Sequence, residues 1–273
     1  MKCLLCSTEQ RIKKFTYNGL DPYLDKLEVD FDLDWYECGE CGVYFSKQHS
    51  NIDQVYEDEF LYDACYDKNQ IKERCNKILS LPKSNSDNYN RVNRCVGYFD
   101  QYNNLRNFHD ELYDVLDIGA GLGVFLYVLK KDVRFQVNAL ELNKVAANHI
   151  QENLNIKTYQ NFMQELDFDC AFDLITLNRV LEHIETPIEV MISAKKALKE
   201  NGLIYLELPD TLSFTLDGKS NEAFASGHYM VYGPQAIQYL FDKAEIELYS
   251  INRVKEPSGK YTIYALGGKN EVL

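Results

Sequence analysis

The chain has 273 residues, a formal net charge of −13 and a sequence pI near 4.9, so acidic side chains clearly outnumber basic ones. Proteins that hold nucleic acid do so largely through Lys and Arg on phosphates, and the composition therefore argues against a nucleic-acid partner. The hydrophobic fraction of 45% and the charged fraction of 26% are typical of a folded globular protein. No apolar segment has the length of a membrane span or a signal peptide, which predicts a cytoplasmic protein with no membrane partner.

Residues 1–50 have the pattern of a small metal-binding module. Two C-x-x-C motifs, formed by Cys3 and Cys6 and by Cys38 and Cys41, are separated by 31 residues with alternating apolar positions and turn signals. Four thiolates satisfy tetrahedral Zn²⁺ and leave no open position, so we expect a zinc ribbon with a structural ion. The redox alternative expects one C-x-x-C beside a βαβ unit, which neither pair has.

Residues 51–112 are rich in Asn, Asp and Tyr, and their partly helical spacing predicts a mostly helical connecting segment. Tyr62 and Tyr66 are candidates for substrate contact if this segment reaches over a site, and packing aromatics if it does not. No internal repeat or low-complexity segment interrupts the chain.

From residue 113 onward the pattern changes to a regular alternation of strands and helices. The predicted elements are strands at 113–118, 137–142, 173–178 and 203–208, helices at 122–131, 144–153 and from Pro187 to just before Asn201, and finally a helix at 234–244 and strands at 246–254 and 261–267. Alternation of this length favours βαβ units in a parallel sheet covered on both faces. The last two strands could pair antiparallel. We therefore predict a doubly wound, Rossmann-like α/β domain at 113–273.

A glycine-rich loop, DIGAGLG at 117–123, follows the first strand of this domain and opens a helix. A dinucleotide fingerprint would continue Gly119-x-Gly121 with a third glycine at 124, where this chain has Val124. Asp117 at the strand end would oppose a pyrophosphate but suits a cationic ligand. S-adenosylmethionine, which carries a sulfonium and an ammonium and no phosphate, is the ligand that the loop favours. Glu141 ends the next strand, where an acid can accept hydrogen bonds from ribose hydroxyls.

Residues 113–208 resemble the core of class I S-adenosylmethionine-dependent methyltransferases, which implies a seven-stranded sheet. The matching segments are 117–123, Glu141, 172–175, 178–184 and 198–202. The resemblance implies that the cofactor is held by Asp117, Gly119, Ala120, Gly121, Glu141, Leu142, Phe162, Met163 and Asn178, with Asn178 beside its methionine end. In one departure, Phe162 stands where relatives often carry an acid for the adenine amine, so we expect backbone groups and apolar packing to hold the adenine.

The order of zinc module, helical link, methyltransferase core and C-terminal cap is similar to that of bacterial enzymes that methylate sugars and surface-polysaccharide precursors. The resemblance implies a small-molecule acceptor, such as a sugar or sugar nucleotide. The alternatives are an RNA or protein methyltransferase whose ribbon grips a macromolecule, and a module that binds S-adenosylmethionine without catalysis. The first needs a basic surface, against which the composition argues.

Two histidines are candidates for a general base, the role that a hydroxyl or carbon acceptor would need. His183 follows the fourth strand, and His228 lies in a predicted substrate-capping insertion near 210–233. Tyr229 and Tyr232 share that insertion and are candidates for substrate contact. Either histidine could instead brace a loop. The remaining histidines, which are expected to be solvated, are His49, His109 and His149.

Overall fold

A computed structural model describes residues 1–17, 33–47, 70–218, 221–225 and 227–269. Tyr62, Tyr66 and His49 lie outside the described residues, so the interpretations placed on them stay predictions. Within the described part of the chain, no helix is both long and apolar enough to cross a membrane.

A seven-stranded mixed sheet forms the body of the protein. Its strands in chain order are β4 (Tyr113–Ile118), β5 (Phe135–Leu140), β6 (Lys157–Tyr159), β7 (Phe172–Asn178), β8 (Leu198–Pro209), β10 (Glu247–Lys255) and β11 (Tyr261–Gly268). Their spatial order is β10-β11-β8-β7-β4-β5-β6, with β4 to β8 parallel and β11 antiparallel to both of its neighbours. The predicted α/β class, the central parallel strands and the antiparallel C-terminal pair are confirmed.

Helices cover both faces of this sheet. In chain order the helices are α1 (Ile71–Leu79), α2 (Asp87–Leu105), α3 (Val124–Leu129), α4 (Lys144–Leu154), α5 (Pro187–Ala197), α6 (Leu212–Asp217) and α7 (Pro234–Lys243), of which α6 packs instead against the N-terminal residues through Phe214. Successive strand residues point to opposite faces, so Leu116 joins the core under α5 and α7 whereas Val115 joins the core under α2, α3 and α4. Burial on both faces explains why the central strands are nearly continuous apolar runs.

Some predicted bounds and one predicted environment were wrong. Helix α5 ends at Ala197 and β8 begins at Leu198, five residues before the predicted strand, because Leu198 pairs with Phe172 across a register shift. His149 is buried on α4 and not solvated as expected, since α1 of the connecting segment packs against this helix. The described part of that segment consists of α1, α2 and a short 3₁₀ turn, in line with the helical prediction.

The N-terminal residues form a second, smaller sheet that is completed by a strand from far along the chain. Strands β1 (Arg11–Tyr17), β2 (Leu33–Cys38) and β3 (Tyr44–Lys47) pair antiparallel, and β9 (Met230–Val231) extends the sheet beside β3. Because β9 belongs to the insertion that follows β8, the N-terminal module and the insertion share one sheet.

Candidate functional site

The loop after β4 has the backbone conformation that its glycines predict. Gly119, Gly121 and Gly123 have φ of +69°, +55° and +68°, a region that residues with a Cβ rarely adopt. A Cβ at Gly119 would also lie 2.6 Å from a methyl of Val180. The amides of Gly119 and Ala120 donate to the carbonyl of Leu140 at the end of β5, which holds the loop at the carboxyl edge of the sheet.

Asp117, at the end of β4, is almost completely buried, with 1% of its surface exposed. Its Oδ1 accepts hydrogen bonds from Thr176 Oγ1 at 2.6 Å and from Asn178 Nδ2 at 2.9 Å. Burial raises the pKa of Asp117 to about 7, although these two hydrogen bonds and the charge of Arg91 act in the opposite direction. A buried carboxylate held in this way attracts a cation at the loop.

Glu141 joins the glycine loop to the following helix. Its Oε2 accepts from the amide of Gly121 at 2.7 Å, and its Oε1 accepts from the amide of Asn143 at 2.8 Å. Asn143 in turn caps α4 by accepting from the amide of Ala146. Burial raises the pKa of Glu141, and the two amide donors oppose that shift. Each oxygen keeps a lone pair that could accept from a sugar hydroxyl.

The other residues assigned to the cofactor differ in exposure. Leu142 is 41% exposed and Phe162 is 56% exposed, whereas Met163 is buried in the core. Asn178 ends β7, and its Oδ1 is buried without a hydrogen-bond partner among the described residues. Asn178 lies at the carboxyl end of its strand and the other three follow the ends of theirs, at the edge where ligands bind in open α/β sheets.

The structure brings His183 and His228 together. His183 lies on a 3₁₀ turn (Leu181–His183) after β7, and His228 lies on the insertion just before β9. Their ring centroids are 4.7 Å apart at an interplanar angle of 69°. Nδ1 of His183 donates to the carbonyl of Gly227, and Nδ1 of His228 donates to the carbonyl of Ala223 at 2.9 Å. The insertion therefore folds over the carboxyl edge of the sheet.

The two tyrosines of the insertion have different surroundings. Tyr229 is half-buried, and its amide donates to the carbonyl of Glu182 at 2.7 Å. Tyr232 is 0% exposed, and its hydroxyl donates to the carbonyl of Leu181 at 3.2 Å. This placement gives Tyr232 a bracing role in the core in place of the predicted substrate contact, because its polar atom is already used inside the protein.

Glu182 is a further candidate for this site, and the sequence alone did not indicate it. Its side chain is 1% exposed, and neither carboxylate oxygen has a hydrogen-bond partner among the described residues. One ligand atom from each of Glu182, His183 and His228 lies within 4.8 Å of the other two. The adjacent Glu-His pair was the only signal in the sequence, and nothing in it indicated that His228 would meet this pair.

A buried ionic network joins helix α2 of the connecting segment to strand β8, next to the site. On α2, Arg91 contacts Glu207 of β8 at 2.6 Å, and Arg94 contacts Glu207 at 3.0 Å and Glu256 at 2.5 Å. Burial alone would raise the pKa of Glu207, but the charges of the two arginines lower it to about 2. No motif in the sequence marks this network, since its partners come from three distant segments.

The four N-terminal cysteines converge as predicted. The Sγ atoms of Cys3 and Cys41 are 3.7 Å apart, those of Cys6 and Cys38 are 3.4 Å apart, and all four sulfurs lie within 4.8 Å of one another. The amides of Glu40 and Cys41 point to the Cys38 sulfur at 3.4 and 3.5 Å. A hydrogen bond from Cys41 lowers the pKa of the Cys3 thiol to about 5, and burial raises the pKa of the Cys6 thiol to about 12.

The sheet order and the glycine loop define a Rossmann-like α/β domain with a candidate ligand site at the carboxyl edge, and comparison with known proteins identifies its family. Residues 66–251, more than half of the chain, match the sequence model of the methyltransferase domain family. The chain therefore belongs to this methyltransferase domain family.

Curated relatives match only part of the chain. The ubiquinone biosynthesis O-methyltransferase of Glaesserella parasuis serovar 5 is 36% identical over 106 residues, which cover 34% of this chain and 43% of the relative. The enzyme of the same name from Rickettsia bellii is 24% identical over 106 residues, with coverage of 36% and 44%. The chain thus spans less than half the length of these relatives.

Solved structures share the fold at low identity. The 1,6-didemethyltoxoflavin-N1-methyltransferase of Burkholderia thailandensis, solved with 1,6-didemethyltoxoflavin and S-adenosylhomocysteine, has a TM-score of 0.55 and 14% identity, and the alignment covers 84% of this chain and 96% of that one. A SAM-dependent methyltransferase of Aquifex aeolicus has a TM-score of 0.51 and 16% identity, with coverage of 74% and 98%.

Proposed function

We propose that this enzyme transfers a methyl group from S-adenosylmethionine to a small-molecule acceptor, with a sugar, a sugar nucleotide or a surface-polysaccharide precursor as the favoured class. The main observation behind the proposal is the ring contact between His183 and His228. His183 lies on the turn after β7, and His228 lies on the insertion. Because the insertion folds over this edge, an acceptor bound there would lie between the insertion and the cofactor loop. Among the relatives and neighbours, the named methyltransferases of ubiquinone biosynthesis and of 1,6-didemethyltoxoflavin support a small acceptor.

In this proposal the cofactor lies along the carboxyl edge of β4, β5 and β7. Asp117 and Asn178 face its cationic methionine end, Glu141 accepts from its ribose, and the left-handed glycine loop allows it to approach the backbone. The remaining contacts come from Ala120, Leu142, Phe162 and Met163. Bound S-adenosylmethionine supplies an electrophilic methyl group on its sulfonium.

The insertion orients the acceptor for in-line attack on that methyl group, and positioning supplies much of the rate. Because the Nδ1 proton of His228 is held by the Ala223 carbonyl, neutral His228 presents an unprotonated Nε2. If the acceptor atom is a hydroxyl oxygen, Nε2 takes its proton while the oxygen bonds to the methyl carbon and the carbon–sulfur bond breaks. His183 orients His228, and half-buried Tyr229 is a candidate for substrate contact.

The four cysteines are proposed to hold a structural Zn²⁺. Sulfur separations of 3.4 and 3.7 Å fit the edges of a tetrahedron with zinc–sulfur bonds of about 2.3 Å. The amides directed at the Cys38 sulfur stabilise a thiolate there. A closed set of four thiolates has no position for a substrate, so this ion stabilises the module and takes no part in methyl transfer.

An RNA or protein methyltransferase is the alternative function, and the charge distribution disfavours it. On the module, Lys13 pairs with Asp34 at 2.7 Å and Lys14 pairs with Glu37 at 2.8 Å, so these cations are neutralised locally. Because these lysines are already paired with acids and the chain has a net charge of −13, this strand surface attracts a polyanion such as RNA only weakly.

A product assay tests the proposal. Purified enzyme and S-adenosylmethionine are incubated with sugar nucleotides and glycan precursors, and in parallel with bulk RNA and with protein extract, while S-adenosylhomocysteine release is measured. We expect release with one small-molecule class and none above background with the macromolecules. Release confined to RNA or protein would overturn the proposal in favour of the alternative.

A further inference from the structure

Glu182, His183 and His228 form a cluster of three metal-ligating side chains, here called the Glu-His-His cluster. Glu182 and His183 are adjacent on the 3₁₀ turn after β7, and His228 reaches them from the insertion. One ligand atom from each lies within 4.8 Å of the other two. A single ion can therefore touch all three with small side-chain adjustments.

Both histidines have the hydrogen bonds of typical metal ligands. Each Nδ1 donates to a backbone carbonyl, His183 to that of Gly227 and His228 to that of Ala223. A carbonyl cannot donate, so Nδ1 carries the proton and Nε2 is left with a lone pair. Metal-binding histidines usually have the second ring nitrogen fixed in this way, which sets the ring orientation and the tautomer.

Glu182 supplies the second, independent observation. It is 1% exposed, yet both of its carboxylate oxygens lack a hydrogen-bond partner within the described ranges. The nearby guanidinium of Arg179 donates to Thr262 Oγ1 at 2.9 Å, and neither Glu182 oxygen accepts a hydrogen bond from it. A buried carboxylate with no partner is unfavourable unless a cation or a proton satisfies it.

The backbone around the cluster is firmly held. The Glu182 carbonyl accepts from the amide of Tyr229 at 2.7 Å, and the neighbouring Leu181 carbonyl accepts from the hydroxyl of buried Tyr232 at 3.2 Å. Both bonds join the 3₁₀ turn to the insertion. The two segments that carry the three ligands are thus joined before any ion binds, which reduces the rearrangement that binding requires.

We propose that the Glu-His-His cluster binds one divalent transition-metal ion on the acceptor side of the site. Two imidazoles and one carboxylate are the donor set of catalytic Zn²⁺ and Fe²⁺ sites, which keep positions open for other ligands. The next step rests on the proposed methyl transfer. The open positions on the ion would take two adjacent oxygens of the acceptor, such as those of a vicinal diol. The acceptor class is thereby narrowed to molecules with neighbouring oxygen atoms.

The ion changes the route of the proton. An oxygen bound to a divalent ion has a much lower pKa, so the acceptor hydroxyl loses its proton to solvent before attack. The resulting oxygen then bonds to the methyl carbon as the carbon–sulfur bond breaks, and S-adenosylhomocysteine leaves uncharged at sulfur. His228 acts as a ligand in this form of the enzyme, whereas in an ion-free site it takes the proton itself.

The test titrates Co²⁺ into the full-length, zinc-loaded protein by calorimetry. Imidazole suits ions such as Co²⁺, and thiolates prefer Zn²⁺, so the cysteine site stays filled by zinc. We expect about one Co²⁺ per chain, and an affinity at least about 10-fold lower in Glu182→Gln and in His228→Ala, since loss of even outer-shell partners has about that effect. The matched control is Glu185→Gln, which removes an exposed acid three residues away.

Two outcomes would overturn the proposal: no stoichiometric Co²⁺ uptake by the wild type, or equal uptake by both variants and the wild type. Glu182→Gln removes a buried unpaired charge, so the variant is expected to unfold no earlier than the wild type, and thermal unfolding checks this. The titration uses neither cofactor nor acceptor. Its failure would leave the proposed methyl transfer intact, and a failed acceptor screen would leave the metal site intact.

Discussion

The side chain of Ser46, on β3 of the N-terminal module, donates a hydrogen bond of 3.1 Å to the carbonyl of His228. The amide of Ser46 also donates to the carbonyl of Tyr229 at 3.0 Å, and the side chain of Gln235 reaches back to the carbonyl of Glu40 at 2.7 Å. These bonds attach the loop that carries His228 to the cysteine module. The module therefore braces the loop on which the proposed acceptor side of the site depends, although the two are far apart in sequence.

Loss of the proposed zinc should weaken this attachment. Cys38→Ser is expected to contain about one zinc fewer per chain than the wild type, because four thiolates hold one ion. It should also unfold at a lower temperature and turn over more slowly, while its affinity for S-adenosylmethionine stays close to normal. Elemental analysis, thermal unfolding and calorimetry measure the three effects. Cys170→Ser, at an exposed cysteine, is the control, and zinc content equal to the wild type in Cys38→Ser would contradict the zinc assignment.

His228→Ala should slow methyl transfer without affecting the cofactor. The ring contacts His183 and the insertion but makes no hydrogen bond to the glycine loop. Removing a positioned base or ligand is expected to lower turnover about 100-fold or more, since general acid–base catalysis contributes about that factor. S-adenosylhomocysteine release gives the rate and calorimetry gives the cofactor affinity. Exposed His109 offers the matched variant His109→Ala, and a normal rate in His228→Ala would assign His228 a purely structural role.

Gly119→Ala tests the left-handed loop. The substitution places a Cβ at φ +69° and 2.6 Å from Val180, so we expect a loss of about 1–3 kcal/mol in unfolding free energy and weaker cofactor binding. Gly97→Ala is the opposite case. No described heavy atom lies within 4 Å of a Cβ there, and the exposed helical position should gain about 0.5–1 kcal/mol. Chemical denaturation measures both variants; equal stability of the two would refute the loop geometry.

Glu141→Gln tests the proposed ribose acid. Glutamine keeps one carbonyl oxygen, so one of the two amides, of Gly121 or Asn143, loses its acceptor. Leaving a buried donor unsatisfied costs about 1–3 kcal/mol, and we expect a comparable loss of S-adenosylmethionine affinity, about 10-fold. Calorimetry provides the measurement, and Glu152→Gln at an exposed position of α4 is the control. Unchanged affinity in Glu141→Gln would exclude Glu141 from the cofactor site.

Features carried by local sequence could be predicted well. The strand at β4, the glycine loop and the antiparallel pair β10 and β11 depend on short-range patterns of apolar residues and glycines. The convergence of the four cysteines followed from the spacing of their two pairs and from the chemistry of zinc.

Features that depend on distant segments could not be predicted. The two-residue strand β9 is too short to give a pattern, and its pairing with β3 joins parts of the chain about 185 residues apart, as Phe45 opposite Met230 shows. The burial of His149 and the isolation of the Glu182 carboxylate are likewise set by the elements packed around them. A residue type alone does not reveal its surroundings.

The titration of Asp117 sets the pH dependence of cofactor binding. Its pKa is raised to about 7 by burial, so below that pH the carboxyl is protonated and must lose a proton before it can attract a cation. Affinity should therefore rise with pH up to about 7, by at most about 10-fold per pH unit, and level off above it. For folding the sign is reversed: the raised pKa lowers stability as pH rises from about 4 to 7, because in that range the unfolded chain has released the proton that folded Asp117 still holds.

Calorimetric titration of S-adenosylmethionine into the wild type and Asp117→Asn, each at pH 6 and pH 8, tests the central assignment most directly. Asparagine can keep the hydrogen bonds from Thr176 and Asn178, since both are accepted by a single oxygen, and Asp114→Asn is the control on the same strand. We predict stoichiometric binding to the wild type that is weaker at pH 6, and in Asp117→Asn an affinity about 10-fold lower at pH 8 with little pH dependence. No binding to the wild type, or identical binding to Asp117→Asn at both pH values, would contradict a cofactor site at the carboxyl end of β4.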